Sequence, residues 1–463
     1  VIYELLTLFL HWKNLDVKKI MANKKFYIET YGCQMNVADS EVVASVLKDN
    51  GYLKTQDINQ ADLILVNTCS IRENAEQRVW GRLDKFRQIK KGKPELKVGV
   101  IGCMAERLKE KLVEKEKTRP CVIGPDAYRA LPSLLERVES GQKGINTILS
   151  KEETYGDIIP IRAAENNISA FISIMRGCNN MCSYCIVPYV RGRERSRDPQ
   201  TILNETQLLA KECFKEITLL GQNVNSYNWE HKENKTNFSK LLDEAASKNP
   251  SLRFRFATSH PKDLSDEIIK TMAKHPNICK HIHLPVQSGS SKILKKMNRK
   301  YSREWYIDRI DAIKKHLPDA EITTDIMTGF CSETEEDHQE TLSLMEYVQY
   351  DYAYMFKYSE RPGTKAARVM DDDVPEETKK RRLNEIIDLQ TKISEKNKLK
   401  TIGKSFDVLI EGTSKKSEDE HFGRNSQNQV VVFPKDDEKT GDIVKVKIDK
   451  TTPATLIGKK VQF

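Results

Sequence analysis

Three cysteines fall close together in the stretch Arg176-Gly177-Cys178-Asn179-Asn180-Met181-Cys182-Ser183-Tyr184-Cys185. Thiolates at this density suit an iron-sulfur cluster or zinc. A closed zinc site needs four protein ligands, and the next histidine downstream is His231. The loop therefore reads either as a cubane cluster with one open iron or as zinc completed by a distant ligand. Three more cysteines recur upstream in a common setting: Gly32-Cys33-Gln34, Thr68-Cys69-Ser70 and Gly102-Cys103-Met104. Together they read as a second three-thiolate site; singly, each would read as a small buried residue. Cys121, in Pro120-Cys121-Val122-Ile123, opens an apolar run instead of closing one and reads as core.

Periodicity shows what must position these groups. Apolar runs Phe26 to Thr30, Leu63 to Val66 and Val98 to Ile101 each end at one upstream cysteine, with charged helical stretches between them. That alternation predicts an open parallel sheet whose strand ends lie along one edge, where ligands bind. From Ala170 to about Lys400 the pattern repeats six times, through strands Ala170 to Met175, Glu216 to Leu220, Arg253 to Ala257, His281 to Leu284, Glu321 to Met327 and Tyr352 to Lys357. Six repeats predict a partial (β/α)6 barrel, open on one side, with its chemistry at the carboxyl-terminal rim. The rim residues are polar: Gln222, Asn223 and Asn225, Ser259-His260, Gln287-Ser288, and Asp325 inside the fifth strand. Such a convergence suits a polar cofactor. Beyond Lys400, short alternating strands Ser405 to Ile410, Gln429 to Phe433, Asp442 to Ile448 and Thr455 to Phe463, punctuated by glycines, predict a small antiparallel β-barrel. The fold class is thus α/β with a C-terminal barrel.

The chain has 463 residues, 38% hydrophobic and 31% charged, so several cores are expected in a soluble protein. A net charge of +9 allows a polyanionic partner without requiring one. The cysteine spacings are not those of a secreted disulfide framework, which points to a reducing cytosol. The apolar run Leu5 to Leu10 is far too short to span a membrane. Residues 1–20 read as an extension outside the fold, followed by a first domain over 21–150, a linker over 151–168, a central domain over 169–400 and the barrel over 401–463. Arg191, Arg193, Arg195 and Arg197 form a basic run that reads as a carboxylate or phosphate grip, or as a solvated loop paired with Glu194 and Asp198.

The cysteine loop, with Tyr184 before its last cysteine, resembles the signature of the radical S-adenosylmethionine (SAM) enzymes. The three upstream cysteines narrow the resemblance to the methylthiotransferases, from about Lys25 to the C-terminus. The supporting stretches are Thr30 to Asn36 (TYGCQMN), Asn67 to Arg72 (NTCSIR), Arg191 to Arg197 (RGRERSR), His283 to Gly289 (HLPVQSG) and Arg361 to Thr364 (RPGT). Gly423-Arg424-Asn425 and Asn428 to Phe433 make the last domain similar to TRAM, an RNA-binding barrel. Two positions depart from the family: Cys331-Ser332 stands where Pro-Gly is usual, and Asn425 where Thr is usual. Cys331 is not counted as a ligand.

The resemblance implies two 4Fe-4S clusters, one on Cys178, Cys182 and Cys185 that binds SAM, and an auxiliary one on Cys33, Cys69 and Cys103. It implies two SAM per turnover, one methylating a sulfur and one yielding the radical that activates C2 of N6-isopentenyladenosine beside the tRNA anticodon. Tyr184, Gln222, Asn223, Gln287, Ser288, Asp325, Arg191 and Arg193 would contact the cofactor. The implied partners are the anticodon stem-loop, an electron donor protein and a sulfur donor, with no membrane and the chain acting as a monomer in the cytoplasm. Relatives acting on threonylcarbamoyladenosine or on a ribosomal-protein aspartate share both cysteine sets. A non-catalytic iron-sulfur protein that binds RNA or transfers electrons is the alternative of another class.

Overall fold

The computed structural model describes residues 24–69, 73–115, 121–162 and 168–461. The extension over 1–20, Ser70 to Arg72 of one supporting stretch, and 163–167 of the expected linker lie outside them. The chain divides into two compact units, one running to Ala163 and taking in Ile186–Arg195, the other combining Ala164–Cys185 with Ser196 onward.

The first unit is built on six parallel strands in the order Leu53–Lys54, Lys25–Tyr31, Leu63–Thr68, Lys97–Gly102, Cys121–Ile123, Ile145–Asn146. Leu63–Thr68 is buried throughout, which explains its unbroken apolar run: both faces are covered. Leu63 and Leu65 join Phe26, Val43 and Leu135 on one face, while Ile64 and Val66 join Val79, Leu83 and Phe86 on the other. The strand order reverses between Lys25–Tyr31 and Leu63–Thr68, a topological switch point, where open α/β sheets leave a crevice at the carboxyl edge. The expected linker is instead docked here over 151–162. Tyr155 is buried and stacked on Tyr128 at 5.5 Å, Ser45 Oγ donates to the Ile159 carbonyl at 2.9 Å, and Arg162 pairs with Glu41 at 3.0 Å.

In the second unit, two three-stranded parallel sheets, ordered Arg253–Phe256, Glu216–Leu220, Ser169–Ser173 and His281–His283, Glu321–Thr328, Tyr352–Lys357, form the six-stranded partial barrel. They are joined where the Phe254 amide donates to Asn277 O and the Cys279 amide to Phe254 O, both at 2.8 Å. A closed barrel follows, of strands Ser405–Thr413, Glu420–Arg424, Val430–Pro434, Ile443–Thr451 and Leu456–Lys460, antiparallel as expected except where Val430–Pro434 and Leu456–Lys460 pair in parallel. Its second strand was not expected from the polar, glycine-containing sequence, nor was the hairpin Asn228–His231/Asn234–Asn237.

The stretch that carries the TRAM resemblance fastens the barrel to the parallel strands. Arg255 donates to Asn425 O at 2.6 Å and Ser426 O at 3.1 Å, and Arg253 to Arg424 O at 3.1 Å. Both departures have local explanations. Asn425 accepts from the Gln429 amide and donates to its side chain, each at 2.8 Å, closing the turn. Ser332 adopts φ +62, where glycine would be unstrained, and Asp373 holds it there by accepting from its amide at 2.6 Å and its hydroxyl at 3.1 Å.

Candidate functional site

In the first unit, Cys33, Cys69 and Cys103 directly follow three adjacent strands, the first two flanking the switch point. The backbone needs glycine before two of them. A Cβ on Gly32 (φ +141) would come within 2.8 Å of Cys69 Cβ, and one on Gly102 (φ +88) within 2.5 Å of Asn67 Oδ1. Asn36 and Asn67 brace this edge: Asn36 Nδ2 donates to Asn67 Oδ1 at 3.0 Å, and Asn67 Nδ2 to Asn36 O at 2.7 Å. The hydrogen bond from Cys69, opposed by burial and helped by Arg191, lowers the Cys33 thiol to about 6, whereas burial raises that of Cys103. Cys33 and Cys69 meet; among the described residues no three His, Cys, Asp or Glu side chains stand in ready metal-binding geometry.

Arg191 belongs to this edge. Its Nε donates to Cys103 Sγ at 3.1 Å, its Nη2 pairs with Asp39 at 2.8 Å, and Asp39 also accepts from Tyr128 Oη at 3.1 Å. Burial opposes the guanidinium charge, but Asp39 and then Cys103 outweigh it and raise the pKa well above its ordinary value. The basic run is therefore neither an open phosphate grip nor a solvated loop. Arg191 and Arg195 are buried on carboxylates far away in sequence, Asp39 and, at 2.9 Å, Asp126, and Arg197 on the nearby Glu205 at 2.5 Å. Arg193 alone is exposed.

In the second unit, Cys178, Cys182 and Cys185 follow the first strand of the partial barrel. Gly177 (φ +76) and Met181 (φ +49) turn the loop, and the Met181 and Asn180 carbonyls accept from Asn298 Nδ2 at 2.8 and 3.3 Å. Ser183 anchors it, donating from its amide to Met297 O at 3.0 Å and from Oγ to Lys296 O at 2.9 Å. Arg299, which the sequence reading missed, is buried beneath. It donates to Cys182 Sγ at 3.6 Å, Tyr184 Oη at 3.4 Å, Pro285 O at 2.5 Å and Tyr301 Oη at 3.0 Å. Flanked by Lys295, Lys296 and Lys300, it reads in sequence as one more solvated charge.

Around this rim, polar atoms lack partners although buried: Gln222 Oε1, Asn223 Oδ1, both amide atoms of Asn225, Ser259 Oγ and His260 Nε2. Such orphans are costly unless a ligand satisfies them. Burial, then Arg299 and Lys262, lower the His260 pKa and keep the ring neutral. Its Nδ1 accepts from the Lys262 amide at 3.3 Å, so Nε2 carries the proton and faces the rim as a donor. Asn223 Nδ2 is held by Asp263 at 2.6 Å. Gln287 is fixed at φ +70 by backbone bonds to Asp325 and Met327, both 2.8 Å, and Asp325 stands 3.4 Å from His283. Ser288 is different: it is fully buried and accepts from the Ser290 amide at 3.2 Å beside Thr341, so its hydroxyl organises the loop and does not reach the rim. The donor sets fit the implied groups, with soft sulfur at two strand edges and an unsatisfied polar rim beside one of them. Cys121 and Cys331 are both buried in apolar clusters.

Comparison with known proteins matches residues 25–124 to the uncharacterized protein family UPF0004, 172–345 to the radical SAM superfamily and 399–461 to the TRAM domain. The chain is 58% identical over 439 residues to a tRNA-2-methylthio-N(6)-dimethylallyladenosine synthase of Parabacteroides distasonis, covering 95% of this chain and 96% of the relative. It is 56% identical over 457 residues to the synthase of the same description from Christiangramia forsetii, covering 96% and 95%. Among solved structures it is similar in fold to TsrM, a radical SAM methyltransferase of Kitasatospora setae, with a TM-score of 0.55, 13% identity, and coverage of 74% of this chain and 75% of that one. It is also similar to the cobalamin-dependent SAM radical enzyme OxsB, with a TM-score of 0.52, 14% identity, and coverage of 81% and 57%.

Proposed function

The chain belongs to the tRNA-2-methylthio-N(6)-dimethylallyladenosine synthase family, and on that premise we infer that it installs a methylthio group on C2 of N6-isopentenyladenosine in tRNA by radical SAM chemistry. The observation that carries this reading is the occurrence of two three-cysteine sets at the carboxyl edges of two parallel sheets, in a chain that aligns with such synthases over 95% of its length. When bound, a cluster on Cys178, Cys182 and Cys185 supplies the electron that cleaves SAM, and one on Cys33, Cys69 and Cys103 supplies sulfur.

The protein's own side chains position these reagents. Arg299 braces Cys182 and Tyr184 from beneath and sets a fixed positive charge against the thiolates. Arg191 does the same for Cys103. His260 Nε2–H is a donor for a carboxylate, and the orphan amides of Gln222, Asn223 and Asn225 suit the amino and ribose groups of SAM. Gln287 and Asp325 complete the rim. Two SAM molecules are used per turnover. The C-terminal barrel receives the anticodon stem-loop, whose target base is unstacked for reaction. Electrons and replacement sulfur come from an external electron donor protein and a sulfur donor. Among the described residues no helix is long and apolar enough to cross a membrane; on this reading the enzyme acts as a monomer in the cytoplasm.

Mass analysis of tRNA nucleosides from a deletion strain tests this. Loss of the 2-methylthio group with the isopentenyl group retained is the expected result; an unchanged 2-methylthio nucleoside refutes it.

A further inference from the structure

Tyr352–Lys357 is the last of the six parallel strands of the second unit. Alternation turns Ala353 and Met355 toward the core and its helices. The opposite face presents Tyr352, Tyr354 and Phe356, exposed by 50%, 49% and 45%. Strand register sets these three beside Thr323, Asp325 and Met327, with His283 one strand further on. Tyr352 meets Tyr354 edge-on at 5.0 Å, and Tyr354 meets His283 edge-on at 5.8 Å. The strand rise sets the Cα atoms of alternate residues about 7 Å apart, and the rings of Tyr352 and Tyr354 lean together across that spacing.

The two ends of this row matter. The neighbouring strand begins at Glu321, which holds Gln429 of the C-terminal barrel. Beyond the row, Tyr358 packs on Phe330 at 4.9 Å, and Phe330 on Tyr184 of the cysteine loop at 6.4 Å. The aromatic row thus runs from the barrel toward the cysteine loop. Three large aromatics kept half exposed in line form a patch that a stable surface avoids unless it binds something. Asp325 on the same face repels phosphate but accepts from exocyclic amino groups, so the face suits bases and not the sugar-phosphate chain. Flat rings stack on any base.

We propose that Tyr352, Tyr354 and Phe356 form a stacking platform for the unpaired nucleobases that flank the target in the RNA substrate. The proposal rests on the tRNA reading above. The test is titration of the holoenzyme with a synthetic anticodon stem-loop carrying isopentenyladenosine, with 2-aminopurine at a flanking loop position, followed by anisotropy and by 2-aminopurine quenching.

Tyr352→Leu, Tyr354→Leu and Phe356→Leu keep apolar bulk and remove the ring. Each should weaken RNA binding roughly tenfold, and the quenching should be lost in at least one of them. Tyr354→Phe keeps the ring and should bind like wild type. Leucine variants that bind within about twofold of wild type with quenching intact, or a Tyr354→Phe variant that binds as poorly as Tyr354→Leu, would overturn the platform. So would leucine variants that lose SAM affinity while RNA affinity holds, since the rings would then serve the cofactor. A wild-type enzyme that does not bind the stem-loop sinks the tRNA reading itself, and this inference with it.

Discussion

Replacing Asp39 with asparagine tests whether the buried charge beside Cys103 is held by its partner. Asp39 and Arg191 have side chains only 1% and 3% exposed, and their pairing distance is 2.8 Å. Asparagine keeps the shape and the bond from Tyr128 but leaves the guanidinium without its counter-charge. Removing one member of a buried pair costs about 3–5 kcal/mol, and 3 kcal/mol corresponds to roughly a 150-fold change in an equilibrium constant. Because the chain has two units, a single unfolding midpoint would mix them; hydrogen exchange resolved by peptide avoids this. Amides of Leu63–Thr68 and Lys97–Gly102 should exchange roughly 100-fold faster in Asp39→Asn, while strands of the second unit stay near wild type. The double variant Asp39→Asn/Arg191→Met removes both charges and should recover most of the loss. Two results refute the reasoning: exchange in Asp39→Asn within about threefold of wild type, or a double variant as unstable as the two single effects added.

Gly102→Ala forces a Cβ into Asn67 Oδ1 at 2.5 Å from a backbone at φ +88, so the first unit should lose about 1–3 kcal/mol, read by the same exchange experiment; a neutral effect would mean the edge is not tightly built. Burial raises Glu106 to about 7 despite Lys109 at 3.3 Å. Its folded pKa lies above the unfolded value, so wild-type stability should fall as pH rises from about 4.5 to about 7, by on the order of 2 kcal/mol after allowance for solvent around Lys109. Glu106→Gln should flatten that slope, and an unaltered pH profile would contradict the burial argument. Cys69→Ser and Cys178→Ser, each reconstituted anaerobically, should each lose roughly half of the iron and leave different paramagnetic signatures; identical losses of all iron would argue against two independent sites.

Much of the architecture could be read from the chain because strand and cysteine travel together. A run such as Leu63 to Val66 that ends at Cys69 states both the element and the place where it delivers its side chain. The arginines show why the remainder was hidden. Arg191, Arg195 and Arg197 alternate with small and charged residues like a solvated loop, and the carboxylates that bury the first two, Asp39 and Asp126, come from other elements, Asp126 lying 69 residues from Arg195 and Asp39 further still from Arg191. Arg299 was masked by neighbouring lysines. The Glu420–Arg424 strand was obscured by Gly423, whose missing side chain lets the Leu409 carbonyl lie 2.0 Å from where a Cβ would be. The aromatic face of Tyr352–Lys357 read simply as apolar, because alternation does not say whether a face is covered.

Because Ile186–Arg195 folds with the first unit, that unit is discontinuous in the gene's reading order. On the ribosome its six strands are complete by Asn146, yet Asp126 waits 69 residues for Arg195. Until Arg195 is made, that buried ion pair is missing from the first unit. The interval spans the synthesis of Cys178, Cys182 and Cys185, so the first unit is finished only after the second set of cysteines has been made. A truncation that stops at Ala163 would keep every strand of the first unit and still be left in that unfinished state.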